Sequence, residues 1–385
     1  MSEASLRRGY FDYLNAVTLH TIFIGLGVLF SYLVFNRGVV PHRNYKYSYR
    51  EWFSLNKHGF EYLVFAFVVL VFFHQILSLG SVPFFLLFTD SSVSELTMAR
   101  EGGYKLQGGM AVYFWHFSRM IFVPLIVCSS FINFIINKSK FNLLFFICVL
   151  FVGVLNNALS GAKAPVAMLF LCLFISFVLI KGRVDAKYVF FAVILVFVFP
   201  FIVEYSFSEN GFFETLSIFS LKVINRFSYE TFDRTLSYFD VFPYNMDYLG
   251  GRTNSLFMAF SGKDYFNVQN YIFLNRLGGE VPEHLLHGSA NAHFIGYMNA
   301  DFGLLGVALS CFIVGAIIGF VDVKSSNKLK SPVTLSLYIV MGFIFWKLMG
   351  SQPTSVLFSH GAIPAFFLLL FFYYFKHFNN KRECQ

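Results

Sequence analysis

Four arginines, Arg226, Arg234, Arg252 and Arg276, fall within one polar stretch, residues 206–292, where only Lys222 and Lys263 supply ammonium groups. A guanidinium keeps its charge at every accessible pH and grips phosphate oxygens through two parallel N–H donors. Two or more of them near a membrane surface suit a lipid-linked diphosphate. Residues 214–240 read as helical, with Leu216, Phe219, Val223, Phe227, Leu236 and Phe239 as the apolar positions. Arg226, Glu230 and Arg234 then follow at i, i+4, i+8, a spacing that also fits a salt-bridged stripe on a solvated face.

A second group consists of charges inside or at the ends of apolar runs: His74, Arg119, Lys163, Glu204, Asp301 and Lys347. Ionisable groups in hydrocarbon are costly and default to a functional reading. Lys163 follows Ser160-Gly161-Ala162, a small-residue turn that lets the backbone approach a ligand closely. The plain alternative is a lysine snorkelling to the interface. Arg119 lies inside an apolar run and needs a partner, for which Glu204 and Asp301 are available.

The third group is Gly278–Gly306, where His284, His287 and His293 stand among Glu280, Glu283, Asn291 and Asp301. Histidine with a nearby carboxylate is the usual general-base arrangement; interfacial polar residues ending a loop are the alternative. His284 and His287 lack a third ligand at a familiar spacing, so neither metal nor other cofactor is expected. There is no G-x-S-x-G, Walker A or H-E-x-x-H motif.

The elements that must hold these residues follow from composition. Of 385 residues, 57% are hydrophobic and 13% charged, and 55 are Phe. A soluble domain carries about 25% charged residues, so this chain cannot coat itself for water. A disordered chain, a collagen-like fibre, a nucleic-acid-binding domain and an ordinary cytosolic enzyme are excluded. The pI of 9.1 reflects Lys and Arg gathered in cytoplasmic loops rather than a nucleic-acid partner. Cys128, Cys148, Cys172 and Cys311 lie in apolar runs and Cys384 in the tail, a pattern of neither disulfides nor zinc.

A helix crosses the hydrocarbon with about 20 apolar residues. Candidate spans are Ala16–Phe35, Phe60–Leu79, Met110–Ile136, Phe141–Leu159, Pro165–Ile180, Tyr188–Tyr205, His293–Phe320, Val333–Leu348 and His360–Tyr374. Segments 37–58, 137–140, 181–187, 324–330 and the C-terminal tail all carry Lys or Arg and fall on one side of this map, which is therefore cytoplasmic. The map leaves Arg7 and Arg8 outside, against the same tendency. Val82–Phe88 is too short to span and reads as a dip into the membrane. No cleavable signal peptide is evident. The expected fold is an all-α polytopic membrane protein with about 9–11 transmembrane helices. Residues 1–205 form N-terminal transmembrane helices with an outer loop at 80–109, residues 206–292 a long, partly helical outer loop, and 293–385 the C-terminal helices. Gly315 and Gly319 form a GxxxG pair expected to pack helices.

Apolar spans throughout, one long late outer loop with several arginines, and Asp301-Phe302-Gly303-Leu304-Leu305-Gly306 entering the next span resemble the bacterial O-antigen polymerases (Wzy type) and the related O-antigen ligases. Gly80-Ser81-Val82-Pro83 and Arg100 in the early outer segment are similar to the polymerases as well. The ligase signature, a His-Asn pair about nine residues before Gly-x-x-Gly, is not reproduced. Here Ala292 and His293 occupy those two places after Asn291, which favours polymerase over ligase.

The resemblance implies a GT-C-like fold in the bacterial inner membrane. It also implies metal-independent glycosyl transfer on the periplasmic face. A growing glycan on undecaprenyl diphosphate is the donor, and a hydroxyl of a second lipid-linked repeat unit attacks its anomeric carbon. Such a site needs fixed positive charge for the departing diphosphate and a base for the hydroxyl. Arg226, Arg234, Arg252 and Arg276, assisted by Arg100 and Lys163, are expected in the first role, and His287 or His293, with Glu283 in reserve, in the second. Membrane lipids, a chain-length regulator and a flippase are the implied partners. Competing readings are an O-antigen ligase that transfers polymer to lipid A-core, a lipid-linked oligosaccharide flippase, and an O-acyltransferase using His20 or His42 near Arg43.

Overall fold

The computed structural model of the chain describes residues 3–35, 59–78, 82–86, 110–159, 163–182, 186–206, 208, 210–225, 229–254, 258, 261–262, 264–277, 289–326 and 331–382. Among the described residues there is no strand. The helices are α1 (Glu3–Phe35), α2 (Gly59–Ser78), α3 (Met110–Phe117), α4 (Val123–Ile136), α5 (Lys140–Ala158), α6 (Lys163–Lys181) and α7 (Ala186–Ser206). They continue as α8 (Phe212–Asn225), α9 (Thr231–Val241), α10 (Val268–Leu277), α11 (Phe294–Ser326), α12 (Pro332–Trp346) and α13 (Ala362–Arg382). A π-helical turn, Ser118–Phe122, joins α3 to α4, and Pro83–Leu86 forms a single helical turn.

Each apolar run of the sequence falls on helix, and seven helices among the described residues are long and apolar enough to cross a membrane. Hydrocarbon has no partners for backbone N–H and C=O, so a spanning chain must satisfy them within itself, and helices do so. The outward surface agrees with a lipid solvent. Leu33 is 73% exposed and Leu77 85%, an arrangement that water disfavours when such residues form continuous faces.

The chain divides into two compact units: Met1–His42, Leu221–Asn327 and Trp346–Val356 in the first; Arg43–Ser220, Lys328–Phe345 and Leu357–Gln385 in the second. In the second, α4 and α5 form an antiparallel hairpin. The turn between them is only three residues long, and the Ser139 hydroxyl caps α5 by accepting from the Asn142 N–H at 3.1 Å. Phe131 and Phe134 meet Phe146 near the turn, and Gly153 lies against Val123 and Val127 further along. Val64, Val68, Ile126, Val149 and Leu169 complete that apolar core. Glu61 is buried in α2 and accepts from the Ser129 hydroxyl and, at 2.7 Å, from the Asn133 amide. Pro332 opens α12 where its missing N–H is harmless, and Ser331 caps it through Thr334 at 3.1 Å.

In the first unit, α1 and the later part of α11 run in parallel. Gly27 lies against Phe312 and Ala316, Gly315 against Ile24, and Gly319 against Val28 and Ser31. A Cβ at Gly315 would stand 2.3 Å from the Ile24 carbonyl oxygen, so the GxxxG pair does act at a helix–helix contact. The Ser31 hydroxyl donates to the Ala316 carbonyl and the Tyr32 hydroxyl to Asp322.

Helix α11 is broken at Gly303, whose φ of 65° and ψ of −160° are not helical. Contacts with α1 give the direction of each half. The His20 ring meets His293 and Phe294, whereas Ile24, one turn on, meets Gly315. A straight helix would separate residues 294 and 315 by about 30 Å. Residues 294–302 therefore run back against the direction of α1, and the chain reverses at the glycine. Residues 304–323 that follow still span about 30 Å, enough to cross the hydrocarbon.

The same neighbours place residues 232–244 at the N-terminal end of α1. Asp240 lies against Gly9, Phe232 and Phe239 pack on Tyr13 at 5.0 and 5.5 Å, and the Tyr244 hydroxyl donates to Asp12. That bond pushes the tyrosine pKa up to about 12. The start of α1 therefore lies on the same side as residues 231–254, which is where the span map puts Arg7 and Arg8.

Candidate functional site

Of the residues expected from sequence to form the site, Arg234, Arg252, Arg276 and His293 lie in the first unit, on or beside α9, α10 and the start of α11. Residues 231–241 are helical because Thr235, Tyr238, Phe239 and Val241 recur on one face and are buried. Tyr238 and Tyr297 meet edge to face at 5.2 Å. The Tyr238 hydroxyl donates to the Ala290 carbonyl at 2.9 Å, and the Gln269 amide donates to the Tyr297 oxygen at 2.7 Å. These bonds tie residues 289–292 to α9 and α10. Burial, with Tyr297 beside it, raises the Tyr238 phenol well above its ordinary pKa.

Arg234 pairs with Glu230 one turn earlier. Arg276, from α10, pairs with Asp233 and also donates to the Ser237 hydroxyl at 3.3 Å. The side chains of Arg234 and Arg276 remain 30% and 37% exposed. Both arginines thus have carboxylate partners, the arrangement expected of a salt-bridged stripe, and both remain open to an anion that displaces a carboxylate. Arg252 differs. Its Nε donates to the Asp264 carbonyl at 3.3 Å and its guanidinium sits 5.8 Å from the centre of the Phe266 ring.

His293 is placed at the start of α11. Its N–H donates to the Thr235 hydroxyl at 3.0 Å, and its Nδ1 accepts from the Ile295 N–H at 3.4 Å. A neutral imidazole that accepts at Nδ1 carries its proton on Nε2. In that tautomer Nε2 donates, and a shift of the proton to Nδ1 would free it to accept. The structure brings His20 against its ring at 5.0 Å, a pairing that residues 273 positions apart in the sequence do not announce.

Asp301 stands two residues before the corner and is buried. One oxygen accepts from the Gly251 and Thr253 N–H groups at 3.1 and 3.2 Å, and the other from the Thr253 hydroxyl. The Gln352 amide donates to Thr253 at 2.6 Å. Asp301 thus holds the 249–254 loop, on which Arg252 sits.

Asp240 was not singled out by the sequence. It is 9% exposed, and its Oδ1 has no hydrogen-bond partner. Burial, followed by the charge of Asp233, pushes its carboxyl up to about 6, the range in which a carboxylate serves as a general base at neutral pH. Its only sequence signal is an acidic residue at the end of an amphipathic helix, which is too common to choose.

Arg100, Arg226, Glu283 and His287 lie outside the described residues, as do His284 and Glu280. Lys163 begins α6 in the second unit. Residues 214–240, expected as one helix, are α8 and α9, with 226–228 between them outside the described residues and Tyr229 and Glu230 in π-helical geometry. Among the described residues no three His, Cys, Asp or Glu side chains group as a metal site. Comparisons with protein-family models, with curated proteins and with solved structures return no match.

Proposed function

We propose that this chain is a membrane glycosyltransferase that polymerises undecaprenyl-diphosphate-linked repeat units into O-antigen or a related surface polysaccharide. The observation that supports it best is the folded polar segment of the first unit, packed against the start of the apolar α1. There Arg234, Arg252 and Arg276 are borne by elements packed on the start of α11 and its Gly303 corner. A substrate with a polyprenyl tail and a sugar diphosphate head needs this combination of hydrocarbon and cationic polar surface.

In this reading the hydroxyl of the incoming repeat unit attacks the anomeric carbon of the donor glycan. A new C–O bond forms, the bond to the diphosphate oxygen breaks, and undecaprenyl diphosphate leaves with the electron pair. The hydroxyl proton passes to a base, for which His287 and His293, with Glu283 in reserve, are the sequence candidates and Asp240 the structural one. Arginine bonds to phosphate contribute about 1.5–3 kcal/mol each, so two or three of them aimed at the developing charge supply the stabilisation a metal ion otherwise gives. The reaction faces the periplasm, where repeat units are presented.

The test is a gel of surface lipopolysaccharide from a strain lacking the gene. Collapse of the ladder to a single-repeat band is the expected outcome. Loss of all surface O-antigen with polymer still on its carrier lipid would instead indicate a ligase, and repeat units trapped on the cytoplasmic side a flippase.

A further inference from the structure

The second unit contains a polar cluster that the site above does not use. Arg119 and Ser118 lie in the π-helical turn that interrupts the α3–α4 span; such turns within helices occur frequently at functional sites. Ser118, Asn156 and Asn157 are at most 2% exposed. The Ser118 hydroxyl, the Asn156 Nδ2, the Asn157 Oδ1 and the indole N–H of the neighbouring Trp115 have no hydrogen-bond partner. Nearly all buried polar groups in folded proteins are paired, so four unpaired ones close together call for a ligand.

The hairpin geometry puts them at one level. Gly153 faces Val123 and Val127. Asn156 and Asn157 follow it by three and four residues on the same face of α5. Ser118 and Arg119 precede Val123 by about one turn, in the opposite chain direction but the same spatial direction, because the hairpin is antiparallel. The start of α13 closes the neighbourhood, since Gly361 lies against Ile121 and Phe117. His74 of α2 approaches Trp115 at 6.4 Å between ring centres.

We propose that this cluster binds the head of a polyprenyl diphosphate sugar inside the second unit, an assignment that rests on the glycosyltransferase reading for the identity of the lipid. Arg119 supplies the charge. Ser118, Asn156 and Trp115 are donors suited to phosphate oxygens, and the Asn157 carbonyl is an acceptor suited to a hydroxyl of the first sugar. The apolar α4 and α5 beside it accommodate the prenyl chain.

The experiment uses the full-length protein in nanodiscs containing undecaprenyl diphosphate or, as a control, undecaprenol, with melting temperature and apparent affinity as readouts. Undecaprenyl diphosphate is expected to raise the melting temperature and undecaprenol not to. Arg119→Gln and Asn156→Leu are each expected to weaken the affinity at least tenfold. Asn156→Leu replaces an unpaired buried amide with an apolar group of similar size, so the lipid-free protein should melt no lower than wild type and lost binding is not mistaken for unfolding. Equal responses to the two lipids, or wild-type affinity in both variants, would overturn the assignment. Surface polysaccharide separates the two ideas. If the gene deletion collapses the ladder but both variants restore it fully, the site is wrong and the enzyme reading stands. If the variants lose lipid binding while deletion leaves the ladder unchanged, the site stands and the enzyme reading falls.

Discussion

Asp301 accepts hydrogen bonds from the backbone of Gly251 and Thr253, residues 50 and 48 positions earlier, and so locks the 249–254 loop to the corner where α11 reverses. The next turn of the loop is held by the same stretch, since the Leu249 and Gly250 N–H groups donate to the Ala300 and Asp301 carbonyls at 2.9 Å. Removing the carboxylate leaves buried N–H groups and a hydroxyl without partners. Asp301→Ala is expected to destabilise the protein by about 3 kcal/mol. Asp301→Asn, which keeps one acceptor, should lose about half of that. Unfolding in detergent measures both, and equal losses would show that the charge and the second acceptor, rather than side-chain shape, matter at this position.

Gly303 provides the second prediction. Its φ of 65° and ψ of −160° lie where only glycine sits comfortably, and a Cβ there would stand 2.9 Å from the Tyr248 ring. Gly303→Ala should destabilise by about 1–3 kcal/mol through backbone strain alone, with the tyrosine contact adding to it. Adding Tyr248→Ala to the same chain relieves the contact and leaves the strain. A double variant as stable as wild type would mean that the backbone is not constrained there.

Much of this architecture was legible and some was not, for physical reasons. The apolar runs announced the helices because lipid imposes length and composition on any crossing segment. The Gly315–Gly319 contact was legible because close approach of two backbones leaves no room for side chains. The reversal at Gly303 was hidden because His293–Phe320 is apolar on both sides of the glycine, and hydropathy is blind to direction. The ion pair of Arg234 with Glu230 could be read from its i, i+4 spacing, while that of Arg276 with Asp233 is tertiary. Asp240 and the Asn156–Asn157 pair were missed because what marks them is the absence of a partner, a property of the fold rather than of any residue type.

Asp240 leads to a pH prediction. Its folded carboxyl titrates at about 6, above the ordinary aspartate value, so the folded state holds the proton more tightly than the unfolded chain. Its stabilising contribution is complete below pH 4 and is lost as pH rises through about 6. Asp240→Asn, which mimics the protonated form, should stabilise the protein at pH 7 by on the order of 1–2 kcal/mol and by almost nothing at pH 4. Melting curves at the two pH values check this. If the variant also abolished polymer formation while raising the melting temperature, Asp240 would be acting as the base.

The arginine pairs can be separated into structure and function by treating the two partners of one pair differently. Asp233 and Arg276 are partly exposed, so their coupling is expected to be about 0.5 kcal/mol in a double-mutant cycle. If Arg276 only closes a surface pair, Asp233→Asn and Arg276→Gln should leave the polysaccharide ladder equally intact. If it receives the diphosphate, the two variants diverge. Asp233→Asn removes the competitor for the guanidinium and should preserve or lengthen the ladder, whereas Arg276→Gln should shorten it by about tenfold in polymer yield, the effect of losing one charge-assisted hydrogen bond. The same comparison for Glu230→Gln against Arg234→Gln tests the neighbouring pair. Arg252 has no carboxylate among its described contacts, so Arg252→Gln should lower polymer yield with little change in stability. A polymer ladder unchanged by all three arginine variants would remove this segment from the diphosphate site and leave the cluster around Arg119 as its remaining candidate.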